Sequence, residues 1–262
     1  MLAWLSDWVT DLEYRARIAR PFTFGTGAKR VFFPGCALTA ADPALVMKSY
    51  EWLKARDPSI ALWSDCCGMP LEKFSTPAAA ERGRERTRRL LAQTGTREII
   101  TACGNCTVQF NKLGVEAVRV TSLYALLAEE EWGPRARAIP AVVHHPCSAR
   151  IDKQQQVHFK ALATRLGLQL ANGDDPQHPL PCCLAKGPGA QAKRDALQGS
   201  QLVTYCAHCT VSFQRDIPTR HVLQETFGSD AAWVPRGKLG RFLQYFRFGR
   251  LAGQAARAEP RR

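Results

Sequence analysis

Several features are missing from this sequence of 262 residues, and each absence narrows its chemistry. No stretch approaches the ~18 apolar residues of a membrane-spanning helix. The opening residues, Met1 to Asp11, have no basic lead-in, and Asp7 and Asp11 interrupt the apolar run, so no secretory signal is read there. No GxGxxG follows a strand-like run and no phosphate-binding P-loop is present, so nothing supports a nicotinamide, a flavin or a nucleoside triphosphate. No Ser-His-Asp set or paired carboxylates can be argued. Acidic residues are scarce, 23 against 36 Lys and Arg, for a net charge of +13. Residues 235 to 262 hold +7 of that, which leaves a mildly basic body. Charge alone does not make a nucleic-acid binder, and no recognition motif supports one. The expected compartment is the cytosol, where thiols stay reduced and cysteine patterns read as metal-binding or catalytic.

What is present is ten cysteines, used completely by two sets of five. Cys36, the adjacent pair Cys66 and Cys67, and the CxxC of Cys103 and Cys106 form the first. Cys147, the pair Cys182 and Cys183, and the CxxC of Cys206 and Cys209 form the second. The order is the same in both: one, two adjacent, then CxxC. Flanking residues repeat as well. Cys103-Gly104-Asn105-Cys106-Thr107-Val108-Gln109-Phe110 aligns with Cys206-Ala207-His208-Cys209-Thr210-Val211-Ser212-Phe213. More loosely, Val31 to Cys36 aligns with Val142 to Cys147. A duplicated unit of about 100 residues, a size that can form a domain, is the simplest account. Pairing of the halves face to face would bring the sulfurs into one region.

The pattern predicts an α/β fold. Strands are expected over Lys29–Phe33, Ile60–Trp63, Glu98–Thr101, Ala117–Val120, Ala141–Val143 and Leu202–Tyr205. Helices are expected over Pro43–Arg56, with Asp42 as cap, and over 77–93, Thr107–Lys112, Ser122–Glu131, 154–166 and 190–198. Strands alternating with helices imply two small parallel sheets with flanking helices. Sites in such folds form at the carboxyl ends of strands, where Cys36, Cys66, Cys67 and Cys103 fall. The expected divisions are an N-terminal amphipathic helix over 1–28, a first cysteine-rich domain over 29–135, a second over 136–234, and a basic tail over 235–262. The first helix carries Trp4, Leu5, Trp8, Val9 and Leu12 on one face. The tail mixes Arg241, Arg247 and Arg250 with Leu239, Phe242, Leu243, Phe246 and Phe248, a composition compatible with an anionic membrane surface, an acidic partner or a solubilising extension.

Thiolates ligate zinc or iron–sulfur clusters. Either takes four cysteines in its ordinary form, so five per half leave a surplus that is itself duplicated, and a sulfur bridging two metals would use it. Gly68 would ease a turn aiming both members of the Cys66–Cys67 pair inward. A CxxC at a helix start would lend free N–H groups to an anionic cluster. A thioredoxin-like dithiol needs neither the pair nor the isolated cysteine. A zinc-stabilised binding or assembly protein without redox chemistry is the alternative from another class. His144, His145 and His208 neighbour cysteines and could tune a cluster through hydrogen bonds to sulfur.

Cys36, Cys66-Cys67-Gly68 and Cys103-Gly104-Asn105-Cys106 resemble the CCG motif found in the cysteine-rich subunit of heterodisulfide reductase. Related modules occur in the iron–sulfur subunit of anaerobic glycerol-3-phosphate dehydrogenase and in lactate-utilisation iron–sulfur proteins. His145-Pro146-Cys147 is similar to the start of the family's second repeat. The resemblance spans residues 30 to 230. It implies two non-cubane [4Fe–4S] clusters with a substrate or electron acceptor between them. Cys36, Cys66, Cys67, Cys103 and Cys106 would hold the first, and Cys147, Cys182, Cys183, Cys206 and Cys209 the second. Leu184 in place of the glycine, and the shorter gap from Cys183 to Cys206, depart from the pattern and leave zinc or a different cluster open for the second site. Longer relatives carry ferredoxin-type motifs that this chain lacks. The resemblance therefore implies an oxidoreductase subunit that exchanges electrons with a ferredoxin-like or flavoprotein partner.

Overall fold

The computed structural model describes residues 22–24, 27–132, 140–171, 182–230, 233 and 248. Four strands of the first half run parallel: β2 (Arg30–Phe33), β3 (Ala61–Ser64), β4 (Glu98–Thr101) and β5 (Arg119–Ser122). A short strand, β1 (Phe22–Phe24), pairs antiparallel with β3, so the sheet order is β1-β3-β2-β4-β5. The expected N-terminal helix over 1–28 therefore gives way to strand at 22–24, and the residues before it lie outside the described set. The second half has β6 (Ala141–His144), β7 (Gln201–Thr204) and β8 (Thr219–His221), all parallel and in that order. On the free side of β6, a single bridge joins Ala141 to Leu170. That bridge occupies the place of β3. The second sheet thus repeats the order of the four parallel strands of the first, with one strand reduced to a single pairing.

The helices follow from local signals. In chain order they are α1 (Cys36–Ala41), α2 (Pro43–Lys54), α3 (Met69–Phe74), α4 (Pro77–Thr94), α5 (Gly104–Leu113) and α6 (Leu123–Ala128), then α7 (Ser148–Ile151), α8 (Gln154–Arg165), α9 (Pro188–Asp195), α10 (Ala207–Phe213) and α11 (Val222–Phe227). Asp42 caps α2 by accepting from the Leu45 amide at 2.9 Å, with Pro43 at the first position, as expected. Ser122 caps α6. In the second half His221 takes the same place, its side chain accepting from the Leu223 amide while the Gln224 side chain accepts from the His221 amide. The connecting helix shrinks from the 18 residues of α4 to the eight of α9, which is the trimming implied by the shorter cysteine gap.

The halves pack crosswise. The CxxC helix α5 lies against α7 of the other half, and the CxxC helix α10 lies against α1; likewise α6 packs on α8 and α11 on α2. Each contact in one direction has its counterpart in the other, the signature of a pseudo-twofold arrangement. One apolar core runs through both halves. It takes Phe32, Leu62 and Ile100 from the first sheet, Val143 and Val203 from the second, and Tyr124, Phe159 and Tyr205 at the join. The two cysteine-rich units are repeats in topology and a single body in packing.

Two residues near the C-terminus join that core. Trp233 is buried, stacks on His221 at 5.1 Å between ring centres, and donates its indole N–H to Asp42 Oδ2 at 3.1 Å. It ties the end of the second half to the capping residue of α2. Phe248 is fully buried in the same cluster, so this member of the expected basic tail packs into the body; residues 234–247 and 249–262 lie outside the described set. Trp233→Ala removes a large buried ring together with a buried hydrogen bond. It is expected to cost ~3–5 kcal/mol, read as a lowered midpoint in urea unfolding; a cost below ~1 kcal/mol would mean the indole is not integral to the core.

Candidate metal centre

Every cysteine of the first half leaves the carboxyl end of a strand. Cys36 opens α1 two residues beyond Pro34, where β2 has ended; Cys66 and Cys67 follow β3; Cys103 follows β4 as the cap residue of α5, with Cys106 in its first turn. The second half repeats the placement: Cys147 caps α7 after β6, and Cys206 caps α10 after β7 with Cys209 in its first turn. Both CxxC motifs therefore sit at helix starts, as expected.

Two glycines of the first half make the convergence sterically possible. Gly68 is in the left-handed region, φ 85° and ψ −7°, and turns the chain into α3 directly after the Cys66–Cys67 pair. Gly35 has φ 83° and ψ 145°. A Cβ built there would stand 2.8 Å from the Cys103 Cβ and 3.2 Å from the Cys106 Sγ. The backbone before Cys36 is thus laid directly against the CxxC.

The thiols meet pairwise. In the first half Cys36 is hydrogen-bonded to Cys66, and Cys106 bonds with both Cys103 and Cys67. In the second, Cys209 bonds with Cys183 and Cys206, and Cys182 bonds with Cys183; Cys147 feels the charges of Cys182, Cys206 and Cys183. These interactions link the five thiols of the first half as neighbours, and in the second half they link four, with Cys147 joined to them through charge alone. Among the described residues, no three Cys, His, Asp or Glu stand at the geometry of a single metal ion.

Crowding shapes their acidity. The Cys36 hydrogen bond, burial and the neighbouring thiols push Cys66 well up; Cys103, Cys67 and burial do the same to Cys106, and Cys183, Cys206 and burial to Cys209. Hydrogen bonding with Cys209 instead pulls Cys183 and Cys206 down, and Arg194 adds to the effect at Cys183. Several thiolates cannot be ionised together in one buried place without a compensating cation. A bound metal would supply that cation and take the place of the thiol protons. The donor set, the apolar surroundings and the Gly35 cradle fit a thiolate-bound metal centre.

Arginines from the connecting helices reach both cysteine pairs. Arg86 of α4 donates to Asp65 Oδ2 at 2.8 Å, and Asp65 Oδ1 accepts from the Cys66 amide at 2.7 Å. Asp65 is buried, and burial raises its pKa against the pull of Arg86. Arg194 of α9 donates to the Cys183 carbonyl at 3.1 Å and lies over the Phe213 ring. One arginine of the helix expected over 77–93 thus orders the loop that carries Cys66.

Sequence reasoning missed the residue that joins the two cysteine sets. The Tyr124 hydroxyl lies 2.6 Å from the Ala102 carbonyl and 3.0 Å from the Tyr205 carbonyl. These are the residues immediately before Cys103 and Cys206, so one shared proton links the roots of both CxxC motifs. Burial, then the charges of Cys103 and Cys206, hold this phenol well above its usual pKa. Its only sequence signal was a tyrosine just inside a capped helix. Of the three histidines singled out, His145 Nδ1 is 2.9 Å from the Tyr205 hydroxyl, His144 packs edge-on against Phe213, and His208 is exposed. Lys73 of α3 reaches across the halves, its Nζ 4.0 Å from Cys147 Sγ.

Comparison with known families meets this geometry at the first half. The cysteine-rich domain named CCG matches residues 30–111, a span that contains Cys36, Cys66, Cys67, Cys103 and Cys106. Residues 30–111 are therefore similar to a CCG domain. No curated protein matches the sequence. Among solved structures, an aspartate racemase homologue from Pyrococcus horikoshii OT3 is similar at 13% identity with a TM-score of 0.33, covering 86% of this chain and 99% of that one. Likeness at that level carries no argument about function. The five cysteines within the matched span and their five topological counterparts are the candidate site. Among the described residues, no helix is long and apolar enough to cross a membrane.

Proposed function

We propose that this protein is an iron–sulfur electron-transfer subunit of a redox complex, with one cluster in each half. The observation that carries the reading is the fivefold thiol set at the strand ends of the span similar to a CCG domain, repeated in a second half of the same topology. Cys36, Cys66, Cys67, Cys103 and Cys106 would hold one cluster, and Cys147, Cys182, Cys183, Cys206 and Cys209 the other. Such clusters would supply one-electron redox chemistry at potentials tuned by hydrogen bonds to sulfur and by burial. The chain's own contribution is to hold the thiols in apolar wells, to order the cysteine pairs through Arg86 and Arg194, and to join the two wells through Tyr124. Cys36, Cys103, Cys147 and Cys182 are only partly buried, which supports exchange with something outside the protein. Reduction of a disulfide is the finer activity that the resemblance suggests. A structural zinc site, the reading without redox chemistry, takes four donors and leaves one cysteine of every five without a role.

Protein purified without oxygen is expected to contain iron and acid-labile sulfide and to absorb in the visible. Cys66→Ser should remove one centre and Cys182→Ser the other, each leaving a distinct electron paramagnetic resonance signal behind. Colourless protein with stoichiometric zinc and no sulfide would sink the proposal. Loss of all metal from either substitution would show that the halves are not independent sites.

A further inference from the structure

Three large apolar side chains are strongly exposed among the described residues, and all belong to the second half: Ile151 at 67%, Val157 at 56% and Leu184 at 50%. Two of them flank the cysteines. Leu184 directly follows Cys183, and Ile151 closes the four-residue α7 that Cys147 caps. The duplication supplies an internal control. The residue after the first cysteine pair is Gly68, and four residues after Cys36 stands the buried Ala40. Where the first half has a turn glycine and a small buried residue, the second half presents leucine and isoleucine to solvent. An exposed side chain of this size adds nothing to the core, and what sets these two apart is their place beside cysteines whose first-half counterparts have no such neighbour.

The charge on the same segments is nearly all of one sign. Arg150, Lys153 and Lys186 are exposed and enter none of the ion pairs among the described residues. Lys73 adds a fourth cation beside Cys147. The one acid within this stretch, Asp152, is partly buried and accepts hydrogen bonds from Gln154 and Gln155. Exposed apolar side chains, and cations unpaired among the described residues, on the segments that carry the partly exposed Cys147 and Cys182 are the composition that suits an acidic protein.

From this we infer that the surface of the second half around Cys147 and Cys182, which bears the exposed Ile151 and Leu184 and the cations Lys73, Arg150, Lys153 and Lys186, is the docking surface for an acidic one-electron carrier protein, and that electrons cross at the second centre. The inference rests on the electron-transfer reading and names the half that meets the partner. Apolar anchors would set the lifetime of the complex and the cations its rate of formation.

The test measures binding rather than turnover. Full-length protein, purified without oxygen and with its iron content determined, is titrated with an acidic bacterial-type ferredoxin by interferometry at low and high salt. Wild type should bind, and more weakly as salt rises. Ile151→Ser with Leu184→Ser should weaken binding at least about tenfold, mainly through faster dissociation. Lys153→Glu with Lys186→Glu should slow association and flatten the salt dependence. Arg82→Glu with Arg89→Glu on α4 should change little. Equal loss from the α4 pair, or no loss from either surface pair, overturns the inference. So does tight binding of the wild type to phosphatidylglycerol vesicles in place of the ferredoxin, or self-association abolished by the Ile151 and Leu184 changes. Failure to bind with full iron content refutes the docking face alone, whereas binding by iron-free protein keeps the face and refutes the clusters.

Discussion

Gly104→Ala is expected to destabilise the protein by ~2–5 kcal/mol, although alanine is the better helix former by ~1 kcal/mol. Gly104 opens α5 inside the first CxxC, and its neighbours come from the other half. A Cβ placed there would lie 2.0 Å from Gln155 Oε1 and 2.5 Å from Ser148 Oγ. Gln155 is buried and cannot simply swing aside. It accepts from the Ser148 hydroxyl at 2.8 Å and donates to the Gly104 carbonyl at 3.2 Å and to Asp152 at 3.2 Å. Making room therefore breaks hydrogen bonds that leave buried polar atoms unpartnered, each worth ~1–3 kcal/mol, on top of overpacking. The damage falls on the contact between α5 and α7, where the halves cross. Equilibrium urea unfolding of anaerobic protein should show the lowered midpoint. Gln155→Ala added to Gly104→Ala should recover part of the loss, because it empties the space the methyl needs. A double variant no more stable than the single one would mean that Gln155 is not what excludes the side chain.

The centres of the elements, and the convergence of the cysteines, were legible because both rest on short-range signals. Apolar runs such as Val31-Phe32-Phe33 and Glu98 to Thr101 end just before cysteines, and Asp42-Pro43 and Ser122 mark helix starts. The missed parts lack such signals. β8 is Thr219-Arg220-His221, with no aliphatic residue, and it is a strand because it pairs along β7 while Thr219 and an uncharged His221 are buried; burial pushes the pKa of that imidazole down to about 3. β1 has three residues and exists through pairing with the edge of β3. The fourth strand of the second half is reduced to one bridge at Leu170, too little for any pattern. β5 lies two residues later than expected, at Arg119–Ser122, because its register is set by β4 rather than by its own apolar residues. The crossed packing was out of reach for another reason. Gly104, Ser148 and Gln155 meet only after both halves have folded, and nothing local in α5 announces a partner in α7. Tyr124 belongs to the same class: its role is defined by two carbonyls 81 residues and 22 residues away.

Gly35→Ala should abolish the first centre and spare the second. The backbone at Gly35, with φ 83° and ψ 145°, is in a region that only glycine occupies readily, and strain of this kind costs ~1–3 kcal/mol. The methyl would also press on the Cys103 Cβ at 2.8 Å and the Cys106 Sγ at 3.2 Å, neither of which is the end of a flexible chain. The chain can relieve both only by moving Cys36 away from the CxxC, which opens the set of five. The second half solves the same entry differently. Pro146 stands at the matching place, with a ring that confines φ to about −65°, so the approach to Cys147 needs no glycine. Iron and sulfide in Gly35→Ala should therefore fall to roughly half the wild-type content, a loss set by one damaged centre in two, with the second centre's spectrum unchanged. The far-ultraviolet circular dichroism should stay native, because β2 and α2 are anchored by Phe32, Leu45 and Val46 in the shared core. Full metal content in Gly35→Ala would show that the close approach of this backbone to Cys103 and Cys106 is dispensable. Loss of both centres together would show that the two wells are loaded as one unit, with Tyr124 and the crossed helices as the coupling between them.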